Sequence, residues 1–287
     1  MRKYLFVIFL VETAVISMAQ TPADLTLPIL EEGKRLYRSE MASWYGTDLF
    51  LENYKDKAKI QGYFSYTQNG YSTCVFYSKG DHPVIIGEVI FDSTYNTNSA
   101  KINLTERPLN PLEAEIHVLR EVTLKELTAD TSLFKTYNNT SLNLIPLISE
   151  TERKVYVLTG PKNNGVVIFG NDYLLTFDNN NALISKKQLH KNLIPIYYGE
   201  KEQNGKEVEG TIHTHLPETG EFITATDICT LMLYEKFAKW KRHNVVSKNY
   251  LSIWDCQKDQ LAVVPMSTIE KINGKGEKKN KRNNREN

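Results

Sequence analysis

Two histidines one residue apart, His213 and His215, precede Asp227 in the stretch Glu207 to Met232, EVEGTIHTHLPETGEFITATDICTLM. In a β-strand, residues two apart project from the same face, so this pair of imidazoles can grip one ion. Imidazole nitrogen and carboxylate oxygen suit zinc in a tetrahedral set, whose fourth place a hydrolytic site keeps for water. Asp227 supplies the third donor if the chain after His215 turns back toward the strand end. Thr224 just ahead of it is a natural N-cap for a following helix. Thr224 and Asp227 also fit a plainer role, capping that helix and complementing its dipole. His190, in KKQLHKNLIP, is a further candidate ligand or substrate contact, although a lone histidine at a strand start more often serves structure. His82, before Pro83, and His117 and His243, within or after expected helices, read as surface or cap residues.

The elements that must position these residues are legible in part. The segment LEEGKRLYRSEMASWYGTDLFLENY suits one or two short helices interrupted at Gly46. GYFSYTQNGYSTCVFYS carries aromatic and β-branched residues on both sides of Asn69-Gly70, a strong hairpin signal. Those aromatics offer area for a sugar or peptide, and equally well ordinary cross-strand packing. Pro111 to Phe134 has helical spacing, with Pro111 and Glu113 at a suitable start. From Leu142 the pattern returns to strands: LNLIPLI, KVYVLTG, GVVIFG, DYLLTFD and NLIPIYYG. The turn PKNNG and the loop DNNNA imply antiparallel neighbours. EVEGTIHTH is the strand of the two histidines, a helix runs from about Thr224 to Trp240, and YLSIWDC and QLAVVPM are a final strand pair. The fold class expected is α+β, with a mainly antiparallel sheet and few helices.

At 287 residues, 41% of them hydrophobic and 24% charged, the chain can bury one large core or two modest ones. Its 35 basic and 34 acidic residues leave a formal charge of +1, no field to draw nucleic acid or acidic lipid. MRKYLFVIFLVETAVISMAQ has the basic start, short apolar run and small residues of a signal peptide over 1–19. An exported protein without a stable membrane anchor, periplasmic or extracellular, is the expectation. Cys74, Cys229 and Cys256 are too few and scattered for a disulfide framework and read as small buried residues. A soft boundary near residue 140 separates an amino-terminal α+β region, 20–140, from a second region, 141–272. NGKGEKKNKRNNREN, 273–287, is a polar basic tail without an apolar residue.

The stretch IHTHLPETGEFITATD resembles the metal-binding signature of the JAB/MPN metalloprotease family, the JAMM-type zinc isopeptidases and their bacterial relatives. That signature reads His-x-His-Pro, six residues, Ser, two residues, Asp. Here Pro217 is followed by six residues, Thr224, two more, and Asp227, with Thr in the place of Ser and Leu216 inserted ahead of Pro217. The flanking strand, the helix begun by ATDICTLM and the hairpin NYLSIWDCQKDQLAVV are also similar, so the resemblance covers roughly Leu142 to Met266. It implies zinc held by His213, His215 and Asp227, with Thr224 near the reaction centre and a glutamate as general base. Glu152, before KVYVLTG, and Glu209, on the strand face of His213, are the two candidates for that base. The implied activity is zinc-dependent hydrolysis of a peptide or isopeptide bond in a peptide or protein substrate. The alternative is a non-catalytic exported binding or assembly protein on a degenerate form of the same fold.

Overall fold

Thr21 caps the first helix, its hydroxyl accepting from Asp24 N while the Asp24 carboxylate accepts from Thr21 N, and Pro22 fills the first turn, where a missing N–H costs nothing. The helix that follows, α1 (Pro22–Asn53), is continuous through Gly46, where one or two short helices interrupted at that glycine were expected. Gly46 does not break it because it serves packing: a Cβ there would lie 2.6 Å from the Cys74 Cβ. The computed structural model describes residues 21–199 and 208–272, so the signal peptide and the basic tail read from the sequence lie outside the described residues.

The hairpin β1 (Ile60–Gln68) and β2 (Tyr71–Ser78) turns at Asn69 and Gly70 with φ of 52° and 81°, both left-handed, as a two-residue turn of the primed type requires. With β3 (Ile85–Phe91) and β4 (Lys101–Asn103) these strands make an antiparallel sheet in the order β1-β2-β3-β4. Helix α2 (Pro111–Ala129) follows, closed at its start by a reciprocal Asn110–Glu113 cap.

A second antiparallel sheet has the order β5-β6-β8-β9, from β5 (Thr140–Ile148), β6 (Arg153–Pro161), β8 (Tyr173–Phe177) and β9 (Leu183–Gln188). The DNNNA loop joins antiparallel neighbours, β8 and β9, as expected. PKNNG does not: β7 (Val166–Gly170) leaves the sheet of β6 and pairs with β10 (Leu193–Tyr197) as a separate ribbon. Left-handed Gly165 and Gly170 bound β7 and let the chain change sheets.

The last unit is a strand, helix, strand crossover. β11 (Gly210–Thr214) leads through a loop to α3 (Ala225–Ala238), and the chain returns as β12 (Arg242–Val246), parallel to β11. β12 was not anticipated. Its sequence, RHNVV, is short and polar at its start, and only pairing on both sides makes it a strand. β13 (Tyr250–Asp255) and β14 (Gln260–Pro265) complete the order β11-β12-β13-β14. The whole is α+β with mainly antiparallel sheets.

Helix α1 packs on both sides of the residue-140 boundary. Ala42 and Phe50 join Cys74, Phe76 and Phe91 in one buried cluster, whereas Leu36 lies among Ile145, Tyr156, Leu174 and Cys229 in another. Gly33 allows α1 to touch α3, since a Cβ there would be 2.7 Å from the Ile228 Cβ and 3.0 Å from the Ala225 carbonyl oxygen. All three cysteines are buried and free. No helix among the described residues is long and apolar enough to cross a membrane.

Candidate metal centre

β11 presents Thr211, His213 and, just beyond its end, His215 on one face. The intervening Ile212 and Thr214 are exposed, while His213 and His215 are buried. This is the period-two alternation on which the paired-imidazole reading rests. The His215 N–H continues the ladder by donating to the Val246 carbonyl at 2.8 Å, which holds the second histidine in register past the strand end.

The loop then returns to α3 as expected. Thr224 caps the helix, accepting from Asp227 N at 3.1 Å, and both the Thr224 N–H (2.9 Å) and its hydroxyl (2.8 Å) donate to Asp227 Oδ2. Capping therefore does not compete with ligation. It holds the carboxylate while Asp227 Oδ1, with no hydrogen-bond partner, stands 3.6 Å from His213 Nε2.

A fourth group joins them. His190, just past β9, brings its Nε2 to 3.2 Å from His215 Nε2, and the Nε2 atoms of His213 and His215 are 3.1 Å apart. Asp227 Oδ2 lies 3.1 Å from His215 Nε2 and 3.6 Å from His190 Nε2. A metal bound to nitrogen at ~2.0–2.1 Å in a tetrahedron has donor–donor edges of about 3.3–3.4 Å. Separations of 3.1–3.6 Å fall on either side of that edge, and one donor atom from each of the four residues lies within 4.8 Å of the others. All four side chains are buried, and they form a group able to hold a metal ion.

Protein hydrogen bonds alone do not account for this convergence. His190 Nδ1 donates to Asp172 Oδ1 at 2.8 Å, so a neutral His190 ring turns its Nε2 lone pair toward the other donors. His213 Nδ1 lies 2.9 Å from His243 Nε2, and His243 Nδ1 lies 2.7 Å from the Thr211 hydroxyl. If His243 donates to Thr211 and accepts from His213, the His213 Nε2 lone pair also points inward. His215 Nε2 has one proton at most for three neighbours, and its Nδ1 has no partner. Lone pairs and a carboxylate collected away from water call for a cation.

Burial and the cluster's own charges set its electrostatics. Burial pushes His213 down to about 4 and His243 down to about 3, so both rings are neutral at neutral pH. Burial acts in the same sense on His190, but Asp172 and Asp227 overcome it and hold that ring well above its ordinary value. Burial alone would raise Asp227. Electrostatic attraction, foremost to His190, and hydrogen bonds from His190 and His215 reverse this, keeping the carboxyl far below its usual range.

Of the residues proposed from sequence, the structure thus brings together His213, His215, Thr224 and Asp227, and with them His190. It does not bring the two glutamates. Glu152 lies in the β5–β6 turn paired with Lys154 at 2.9 Å, and Glu209 precedes β11 paired with Lys241; both are largely exposed. His243 is a correction. It is fully buried in β12 and backs His213, where a surface or cap role was expected, because the strand that carries it was not recognised. Asp172 was not singled out either. It follows left-handed Gly170 and Asn171, and a Gly-Asn pair reads only as a turn. Outer partners of this kind fix ligand orientation and tautomer. The chain matches no protein-family model, no curated protein and no solved structure.

Proposed function

We propose that this protein is an exported zinc-binding protein whose residues 141–272 form a JAB/MPN-like unit, with the ion held by His190, His213, His215 and Asp227. The observation that carries the proposal is the convergence of four buried donor atoms within 4.8 Å of one another, with Asp227 Oδ1 left without a partner. Three imidazoles and a carboxylate suit zinc, although other transition metals accept the same donors. Four protein donors fill a tetrahedral ion, and closed sites of this kind contribute folding energy rather than activated water. The role supported best is therefore a metal-stabilised binding or assembly protein.

One observation favours hydrolysis as a second reading. A groove of about 380 Å³ is lined by Leu189 and Thr224, neighbours in sequence of the donors His190 and Asp227, and by Glu32 and Glu221. Zinc in such a site supplies polarisation of a scissile carbonyl and an acidified water. A peptide or protein would then be the substrate, and Glu32 or Glu221 is better placed as base than Glu152 or Glu209, which do not line the groove.

Elemental mass spectrometry of the mature protein, beside Asp227→Asn and His190→Ala, tests both readings. A closed site gives about one zinc per chain, lost in both variants, with a lower melting temperature in chelator. A hydrolytic site with His190 outside the essential set keeps its zinc in His190→Ala and cleaves a peptide library. Absence of metal in the wild type after zinc is supplied overturns both readings.

A further inference from the structure

Glu40 lies half-buried on α1 and shares no hydrogen-bond partner with the four candidate metal donors. It lines a cavity of about 370 Å³ between α1, the β5–β6 hairpin and α3, a volume at the lower end of small-molecule sites. Its carboxylate receives one hydrogen bond among the described residues, from Asn143 Nδ2 at a long 3.4 Å. Burial pushes the Glu40 carboxyl up to about 7, with Arg120 and Asn143 offsetting only part of that cost. Arg120 does not enter the cavity. Its guanidinium stacks over the Tyr63 ring at 5.9 Å and donates to the Leu144 carbonyl.

Three aromatic residues stand among its largely polar lining. Tyr63 and Tyr234 line the cavity, and Trp44, 41% exposed, forms its lip with its ring 5.7 Å from that of Tyr234. Asp48, one turn beyond Trp44, adds a second carboxylate, against a single ammonium from Lys162. A half-buried acidic group with one long hydrogen bond, in a cavity also lined by Trp44, Tyr63 and Tyr234, is matched by a compact positive charge. An anion would face two carboxylates there, and a neutral ligand would leave Glu40 without its counter-charge.

We propose that this cavity is a binding site for a small organic cation, an amine or quaternary ammonium, with Glu40 as counter-charge and Trp44, Tyr63 and Tyr234 as its aromatic walls. The site is independent of the metal centre and does not rest on the function proposed above.

Isothermal titration of the full-length mature protein with choline, and with the uncharged alcohol in which carbon replaces the choline nitrogen, tests it. Choline should bind with a dissociation constant in the millimolar range or tighter, and the alcohol at least about tenfold more weakly. Glu40→Gln and Trp44→Ala should each weaken choline by about tenfold or more. Should Glu40→Gln fail to fold, Trp44→Ala and Asp48→Asn at the exposed rim carry the same test. No choline binding, equal binding of the alcohol, or wild-type affinity in the variants that fold overturns the proposal.

Discussion

At the scale of single residues, the outer partners of the metal donors are as consequential as the donors. His243→Phe keeps a ring in the stack against Phe169 but removes the acceptor of the His213 N–H. Zinc affinity, measured by competition with a chromogenic chelator, should fall by about 10–100-fold. Glu235 gives a separate prediction. Burial, reinforced by Asp259, pushes its carboxyl up to about 8, although Trp254 Nε1 donates to it at 2.8 Å. Its folded-state value stands above the ordinary 4.5, so the native protein holds the proton more tightly than the unfolded chain. That contribution is complete below pH ~4.5 and is lost as pH rises to ~8. Glu235→Gln, which stays neutral, should match the wild type in melting temperature at pH ~4.5 and exceed it increasingly up to pH ~8. The residues of the centre were legible where local spacing encodes them. His213 and His215 share a strand face, and Thr224 with Asp227 opens a helix. Asp172 and His243 were not legible, because only tertiary folding brings a turn aspartate and a strand histidine behind two ligands.

At the scale of elements, glycines carry the contacts of the longest helix. Alanine in place of glycine inside a helix ordinarily gains ~1 kcal/mol. At Gly33 the new methyl would meet the Ile228 Cβ at 2.7 Å, one residue from Asp227, and the Ala225 carbonyl oxygen at 3.0 Å. Gly33→Ala should therefore lower the melting temperature, on the scale of ~1–3 kcal/mol for overpacking, and weaken zinc binding with it. Gly46→Ala, against Cys74, should lower stability similarly while leaving zinc affinity at the wild-type level, since its neighbours Cys74 and Phe91 belong to the amino-terminal sheet. Differential scanning fluorimetry with and without zinc separates the two. Local sequence reported Gly46 as a helix break for a physical reason: a glycine's cost is local and visible, while the close approach that repays it is long-range. The same limit hid the parting of β6 from β7, whose connecting turn looks like any hairpin. The Asn69-Gly70 hairpin and the starts of α2 and α3 were readable because their backbone angles and caps are set within a few residues.

At the scale of the whole molecule, α1 has two clienteles. Its carboxy-terminal half, through Ala42 and Phe50, serves the first sheet, and its amino-terminal half, through Leu36 and Gly33, waits for strands and a helix more than a hundred residues later. During synthesis the second half of α1 can settle as soon as β1 to β3 exist, whereas the first half keeps an unmatched apolar stripe until α3 is made. Loop closure over such a separation is slow, and surface exposed meanwhile is prone to misassociation. A fragment ending at residue 139 should bind the dye ANS and show rapid amide exchange over residues 24–36 alongside slower exchange over 42–50. Equal protection along the helix would mean that α1 is stable without its later partners. For the intact chain, the shared helix makes assembly of the histidine and aspartate cluster a late event: β11 and α3 bring His213, His215 and Asp227 together only after a helix begun at the other end of the sequence has been kept free for them.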